Sequence, residues 1–414
     1  MLRCALAFAL TLAACGGSIG TAGSDSTDST ATAVDPTSDG APTGTATGTS
    51  GDASTSTGDT SEAIDYTQPG PYVVGNTRFV VPAGARSLLV EVWYPADDAA
   101  ATDAAMGHPV AEFVPEGADR VAFEDLLAKL SPSGKIGTRL QTASAYDGEL
   151  AAGGPWPVVV FSHCHNCVRF SAFTIAEHLA SHGLIVAAPD HAGNTLFDQL
   201  EGDSAQIGEA FLEVRRDDLV AVLDALLDPA SAVVPPALLG QSDPARIGAL
   251  GHSFGAATVG RLAQDDPRVL AAMPIAAPIE NPFFPGNKLA DIHVPLLTIL
   301  AEEDNSIGAV GNSVIETNFG AANPPIRLLR VKDAGHWNFS DICGLIADFD
   351  PGCGAGQRQT VPGEAFTYLD IAVGRGIARA YAAAFFDRYL EGNPDAAAYL
   401  DAADPADIVH VEIR

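Results

Sequence analysis

Arg246-Ile-Gly-Ala-Leu-Gly-His-Ser-Phe-Gly-Ala-Ala-Thr258 is the stretch whose reading decides the fold. Ile247 to Leu250 predicts a short buried strand, and Ala256 to Leu262 predicts the start of a helix. Between them, Gly251-His252-Ser253-Phe254-Gly255 has the G-x-S-x-G spacing of a nucleophile elbow. A strand that turns straight into a helix forces the apical residue into a strained backbone conformation. The residues two positions to either side must then lack bulk, or helix and strand collide. Glycines stand at both positions, and Ala256 and Ala257 follow at the expected contact. Ser253 is the candidate nucleophile; the bland alternative is a Gly-Ser turn without chemistry.

Outward from the elbow the chain alternates strands and helices. Pro157 to Ser162 is a continuous apolar run, as in a strand buried on both faces. Ser171 is placed to cap a helix reaching His182, with Gly183 ending it and Leu184 to Ala188 forming the next strand. Val214 to Leu227 predicts a helix closed by Pro229. Strands are expected at Val269 to Ala276, Leu296 to Ala301 and Ile326 to Val331, and a long closing helix at Ala365 to Leu390. Before Trp156, Tyr72 to Val81 and Ser87 to Tyr94 alternate as antiparallel strands. Ala96 to Pro155 is an excursion whose main feature is an amphipathic piece, Val121 to Leu130. The pattern is α/β: a mostly parallel sheet with helices on both faces.

A serine hydroxyl is a weak nucleophile until a base takes its proton, and the base needs an orienting carboxylate. Glu302-Glu303-Asp304 follows the Leu296 strand, and Asp333-Ala334-Gly335-His336 follows the Ile326 strand. The chain order Ser253, Asp304, His336 therefore puts an acid and a base beyond buried strand ends. His336 is the candidate base among ten histidines, and Asp304 the candidate acid. Glu302, Glu303 and Glu280 are its rivals, whereas Asp190 precedes Ser253 and is read as structural. The developing oxyanion calls for two backbone N–H donors. Phe254, directly after the nucleophile, is one candidate, and His165, in the loop beyond Ser162, is the other.

The 414 residues carry a formal charge of −30, which argues against nucleic acid or anionic membrane as partners. The N-terminus separates into parts. Residues 1–14 have one basic residue, Arg3, and an apolar run too short to span a bilayer. Leu12-Ala13-Ala14-Cys15-Gly16 resembles a bacterial lipoprotein signal, with Cys15 the lipidated residue; an ordinary secretory signal is the alternative. Residues 15–65 are almost wholly small, polar or acidic up to Ser61, a tether of roughly 35–40 Å reach as a flexible coil. Residues 66–414 are the folded domain. This predicts a monomer in the bacterial cell envelope that meets the membrane only through its anchor. Of the remaining cysteines, Cys164, Cys167, Cys343 and Cys353 can pair in three ways, the local pairing being preferred.

Several motifs together resemble the α/β-hydrolases grouped around platelet-activating-factor acetylhydrolase, the dienelactone-hydrolase-like proteins and the cutinase-like polyester hydrolases. They are Val92-Trp93-Tyr94-Pro95, Phe161-Ser162-His163, Leu179 to Gly183, Gly251 to Thr258, Glu303-Asp304 and Gly335-His336 with Asn338-Phe339. The resemblance spans about Leu88 to Leu390. It implies an α/β-hydrolase fold and hydrolysis of small-molecule or polymer esters through a Ser–Asp–His triad, without a cofactor. Where the acetylhydrolases place their acid this sequence has Ala276, which favours Asp304. One departure concerns the oxyanion loop, where the relatives' Gly after Ser-His is Cys164. That change either reshapes the hole, is offset by a Cys164–Cys167 disulfide, or makes a metal site of His163-Cys164-His165-Asn166-Cys167. Zinc ligands are usually spread more widely, so no metal is expected. The competing reading is a non-catalytic envelope protein that binds a ligand on a hydrolase fold.

Overall fold

The computed structural model describes residues 64–130, 140–404 and 406–414. The expected signal peptide, Cys15 and the tether as far as residue 63 lie outside the described residues. In chain order the elements are β1 Val73–Ala83, β2 Arg86–Ala96, α1 Ala101–Met106, α2 Ala118–Leu130, β3 Ala145–Tyr146, β4 Trp156–Ser162, α3 Phe173–Ser181 and β5 Ile185–Pro189. Then come α4 Leu196–Glu201, α5 Glu209–Leu227, β6 Ser242–His252, α6 Phe254–Asp265, β7 Val269–Ile275, β8 Leu296–Ala301, α7 Gly308–Ala321 and β9 Ile326–Val331. The chain closes with β10 Ala355–Gln357, β11 Ala365–Thr367, α8 Ile371–Phe386, α9 Ala396–Leu400 and β12 Val409–Ile413.

Ten strands form one sheet in the order β12-β9-β8-β7-β6-β4-β5-β2-β1-β3. The run from β9 to β5 is parallel, and β2, paired with β5 and β1, is antiparallel. Side-chain alternation explains why the central strands read as unbroken apolar runs. On β4, Val159 and Phe161 enter one core with residues of α3 and α8, and Val158 and Val160 enter the other with residues of α5 and α6. Each face of the strand has its own helical cover, so every position is apolar. The carboxyl ends of β4, β6, β8 and β9 lead into the loops that hold the candidate site residues.

Two local expectations are corrected. The closing helix starts at Ile371, not Ala365, because Asp370 caps it by accepting the Ala372 N–H at 2.8 Å. Ala365–Thr367 instead pairs with Ala355–Gln357 as a small antiparallel ribbon. Ser171 does not cap α3. Its helix opens at Phe173, and the Asp341 carboxylate, from a distant loop, takes the Thr174 N–H at 2.9 Å. A long-range acid has displaced the local cap. The disulfides are the local pairs, Cys164–Cys167 and Cys343–Cys353.

Candidate active site

The elbow is as tight as its glycines require. Ser253 has φ 57° and ψ −119°, a left-handed conformation that side chains resist. Its N–H donates to Ile275 O on β7 at 2.8 Å, which pins the turn to the sheet. A Cβ on Gly255 would stand 1.9 Å from Ser162 O, and one on Gly251 would stand 2.2 Å from Gly255 O. Any larger residue at either position would push α6 off the sheet.

Three strand ends converge on Ser253. His336, just beyond β9, has Nε2 2.9 Å from Ser253 Oγ and Nδ1 2.7 Å from Asp304 Oδ2. Asp304, beyond β8, is wholly buried, and its Oδ1 accepts the Ser306 and Ile307 N–H groups at 2.9 and 3.0 Å. One carboxylate oxygen is therefore held by backbone and the other faces the imidazole. Such an arrangement fixes the tautomer with hydrogen on Nδ1 and leaves Nε2 able to take a proton from the serine. The neighbouring His252 ring, 4.9 Å from His336, is held neutral. Burial, then the His336 beside it, lowers its pKa to about 3, and its Nε2 bonds His336 O at 2.9 Å.

The rival acids are engaged elsewhere. Glu303 accepts the Thr360 N–H at 3.0 Å and faces Arg358 at 3.1 Å; burial pushes its carboxyl up, but the Thr360, Gln359 and Arg358 hydrogen bonds bring it below the usual range. Glu280 accepts the Leu289 N–H at 2.9 Å, and Glu302 the Asp333 N–H at 3.3 Å. Glu302, Glu303 and Asp333 do cluster, but Arg358 sits against Glu303 and Asp333 and already supplies the cation. Asp190 holds the Arg169 N–H and guanidinium at 2.8 and 2.7 Å, a structural task.

The candidate oxyanion loop lies against the elbow, with the His165 ring 6.2 Å from that of Phe254. Among the described residues, neither the His165 nor the Phe254 N–H donates to another backbone group. Cys164 does not have to adopt a glycine's backbone angles: the positive φ in this loop, 57°, falls on Asn166, a residue that tolerates it. With both sulfurs joined, the His163-Cys164-His165-Asn166-Cys167 run offers no thiolate to a metal.

Behind the loop lies a buried polar network that the sequence reading missed. Ser162 Oγ is 3.0 Å from His191 Nε2, and His191 Nδ1 is 3.0 Å from Asp218 Oδ2. Arg215 donates from Nη2 to Ser162 Oγ at 3.0 Å and to His163 O, from Nη1 to Asn194 Oδ1 at 2.7 Å, and from Nε to Thr258 Oγ1 at 3.2 Å. Since Arg215 fills a lone pair of Ser162, the hydroxyl proton points to His191 Nε2, and Nδ1 carries the hydrogen given to Asp218. Burial, then the Arg215 charge, holds His191 well below its ordinary pKa. Burial lowers Arg215 to about 9, against the opposing pull of Asp218, so it stays charged at neutral pH. The available signal was the spacing within Arg215-Arg216-Asp217-Asp218. Positions 215 and 218 lie one helical turn apart and point inward, whereas Arg216 and Asp217 pair at the surface.

The fold places the chain among the α/β-hydrolases. A ferulic acid esterase from Streptomyces cinnamoneus superposes with a TM-score of 0.59 over 84% of this chain and 98% of its own, at 25% identity. Residues 59–199 match the model of platelet-activating factor acetylhydrolase, isoform II, and residues 144–341 that of the dienelactone hydrolase family. A platelet-activating factor acetylhydrolase from Cavia porcellus is 24% identical over 360 residues, 78% of this chain and 77% of that protein. Cutinase est2 from Thermobifida alba is 28% identical over 181 residues, 42% of this chain and 53% of the cutinase, so this match spans about half of that relative. The chain is an α/β-hydrolase similar to the platelet-activating-factor acetylhydrolase, dienelactone hydrolase and cutinase group, and a carboxylic ester hydrolase by class. No helix among the described residues is long and apolar enough to cross a membrane.

Proposed function

We propose that Ser253, His336 and Asp304 form the catalytic triad of a serine esterase. The observation that carries this reading is the continuous pair of hydrogen bonds, 2.9 Å from Ser253 Oγ to His336 Nε2 and 2.7 Å from His336 Nδ1 to Asp304 Oδ2. Ser253 Oγ attacks the ester carbonyl carbon while Nε2 takes its proton. The carbonyl oxygen becomes an oxyanion, met by the His165 and Phe254 N–H groups. Collapse expels the alcohol, which receives the proton back from Nε2 and leaves an acyl-Ser253. Water, deprotonated by the same Nε2, then releases the acid and regenerates the serine. Asp304 keeps its proton-free form throughout and stabilises the imidazolium.

The substrate is an ester with an apolar portion, either a small molecule or a polymer end. Phe254 stacks on Phe284 at 5.2 Å and an 8° interplanar angle, while Phe283 is 52% exposed, which supports an apolar wall beside the elbow. The Leu12 to Gly16 sequence supports attachment to a bacterial membrane through lipid on Cys15 and the tether, with the domain acting as a monomer. Fluorophosphonate labelling followed by peptide mass spectrometry tests the central claim. An adduct on Ser253 is the expected result. Folded protein that stays unlabelled, yet binds an ester saturably, would sink the catalytic reading in favour of a binding role.

A further inference from the structure

We propose that Arg215, working through Asn194, is the positioning residue of the oxyanion hole and the source of its positive field; this rests on the reading of Ser253 as nucleophile. The two N–H donors belong to separate segments, one on the loop after β4 and the other on the first turn of α6. Arg215 is bonded to both. Its Nη2 holds His163 O at the start of the loop. Its Nη1 holds Asn194 Oδ1, and Asn194 Nδ2 in turn donates to His165 Nδ1 at 2.7 Å. Its Nε holds Thr258 Oγ1, whose hydroxyl donates to Phe254 O at 2.9 Å. The guanidinium carbon lies 4.5 Å from the centre of the Phe254 ring. One rigid fork therefore sets the spacing between the residues that carry both donors.

The charge has a separate role. Among the described residues, every hydrogen-bond acceptor of Arg215 is neutral, and the nearby Asp218 spends its carboxylate on Arg86 and His191. A buried cation lacking its own counter-ion is costly, and a neutral residue of similar volume would fold more cheaply. The cost is offset when negative charge develops next to it. A cation fixed behind the two donors, in a dry setting, stabilises an oxyanion without any reorganisation at the moment of reaction.

The test compares full-length wild type with Arg215→Gln, Arg215→Lys, Asn194→Ala and Ser253→Ala. The readouts are kcat and KM on p-nitrophenyl butyrate, Ki for an alkyl trifluoromethyl ketone, and thermal unfolding. The ketone is attacked by Ser253 Oγ at its carbonyl carbon, the proton passes to His336 Nε2, and the former carbonyl oxygen is left as the anion of a hemiketal. It therefore reports the hole directly. In Arg215→Gln, kcat should fall about 10²- to 10³-fold, the cost of losing an oxyanion contact. Its KM should move by less than about threefold, with Ki rising in proportion to the loss in kcat. Asn194→Ala should lose about tenfold in both, and Arg215→Lys should lie between, because it keeps the charge without the fork. Folded Arg215→Gln with kcat and Ki near wild type overturns the proposal, as does a raised KM with unchanged Ki. If Arg215→Gln fails to fold, Asn194→Ala decides, and an unchanged Ki there overturns it equally. Undiminished turnover in Ser253→Ala would overturn the nucleophile reading itself. Turnover lost in Ser253→Ala but intact in Arg215→Gln would overturn only the role of Arg215.

Discussion

Two Ser–His–Asp chains start from serines at the ends of the neighbouring strands β6 and β4 and have nearly the same hydrogen-bond lengths. Ser253–His336–Asp304 runs 2.9 and 2.7 Å, and Ser162–His191–Asp218 runs 3.0 and 3.0 Å. Distances alone would call both catalytic. What separates them is the state of the serine and what lies around the imidazole. Ser253 stands at a strained turn and is half-buried, whereas Ser162 is fully buried within a regular strand. Arg215 donates to Ser162 Oγ and occupies the lone pair an attacking serine would use. A charged Arg215 and Arg86 flank His191, so protonating it as a base is disfavoured. The same three residue types fit a reaction centre in one setting and a brace in the other.

The largest effect that would sharpen this contrast is on turnover. Asp304→Asn keeps an oxygen for the Ser306 and Ile307 N–H groups but turns an amide toward His336 Nδ1, forcing the wrong tautomer. We expect kcat to fall about 10⁴-fold with a melting temperature close to wild type. A fall of less than tenfold would return Glu302, Glu303 and Glu280 to consideration as the acid. The equivalent change in the other chain should act on stability instead. Asp218→Ala leaves the His191 Nδ1–H and the Arg86 guanidinium without their buried acceptor, and should cost about 3–5 kcal/mol in urea unfolding. Activity per folded molecule should drop far less than in Asp304→Asn. If Asp218→Ala proved stable but dead, the two chains would have been assigned to the wrong roles.

Smaller still is Ser162→Ala, which deprives His191 Nε2 of a donor and Arg215 of one acceptor. The expected loss is about 1–3 kcal/mol, while a fluorophosphonate should still label Ser253. Adduct on Ser162 in wild-type protein would break the comparison outright, since it would mean that the brace opens to solvent and reacts.

The contrast also explains what could be read from the sequence. Ser253, Asp304 and His336 are legible as candidates because each follows a strand whose apolar run is unmistakable, and because the elbow's glycines are demanded by contacts as short as 1.9 Å. The local disulfides were legible as a preference among three pairings, and the structure has that pairing. Ser162, His191, Asp218 and Arg215 gave no such signal. They sit on β4, a loop after β5, and α5, and only the sheet brings them together. Arg215 to Asp218 reads as a solvated charge run, and half of it is one. The start of the closing helix is not legible because Ala365-Phe366-Thr367 has no breaker before Asp370, whose capping role depends on backbone geometry. The α3 cap is not legible because Asp341, more than 160 residues away, takes the N–H that a local Ser171 cap would hold.

The last difference between the two chains is visible in acid. His191 is held neutral in the folded state, by burial and then by the Arg215 and Arg86 charges, so its folded pKa lies well below the ordinary value of 6.5. The unfolded chain takes up a proton there as pH falls below about 6.5, and the folded protein does not. The stabilisation from a neutral His191 is therefore complete above pH 6.5 and is lost progressively as pH drops toward the folded pKa. A single group of this kind contributes a slope of about 1.4 kcal/mol per pH unit. His191→Asn retains an amide donor for Asp218 but cannot titrate. We expect it to be less stable than wild type at pH 7 by about 1–2 kcal/mol, for the lost contact with Ser162. Between pH 6 and 4 its urea-unfolding free energy should decline less steeply than that of wild type, so that the gap closes. Parallel curves over that range would mean that His191 is not held neutral and is as free as a catalytic base to take a proton.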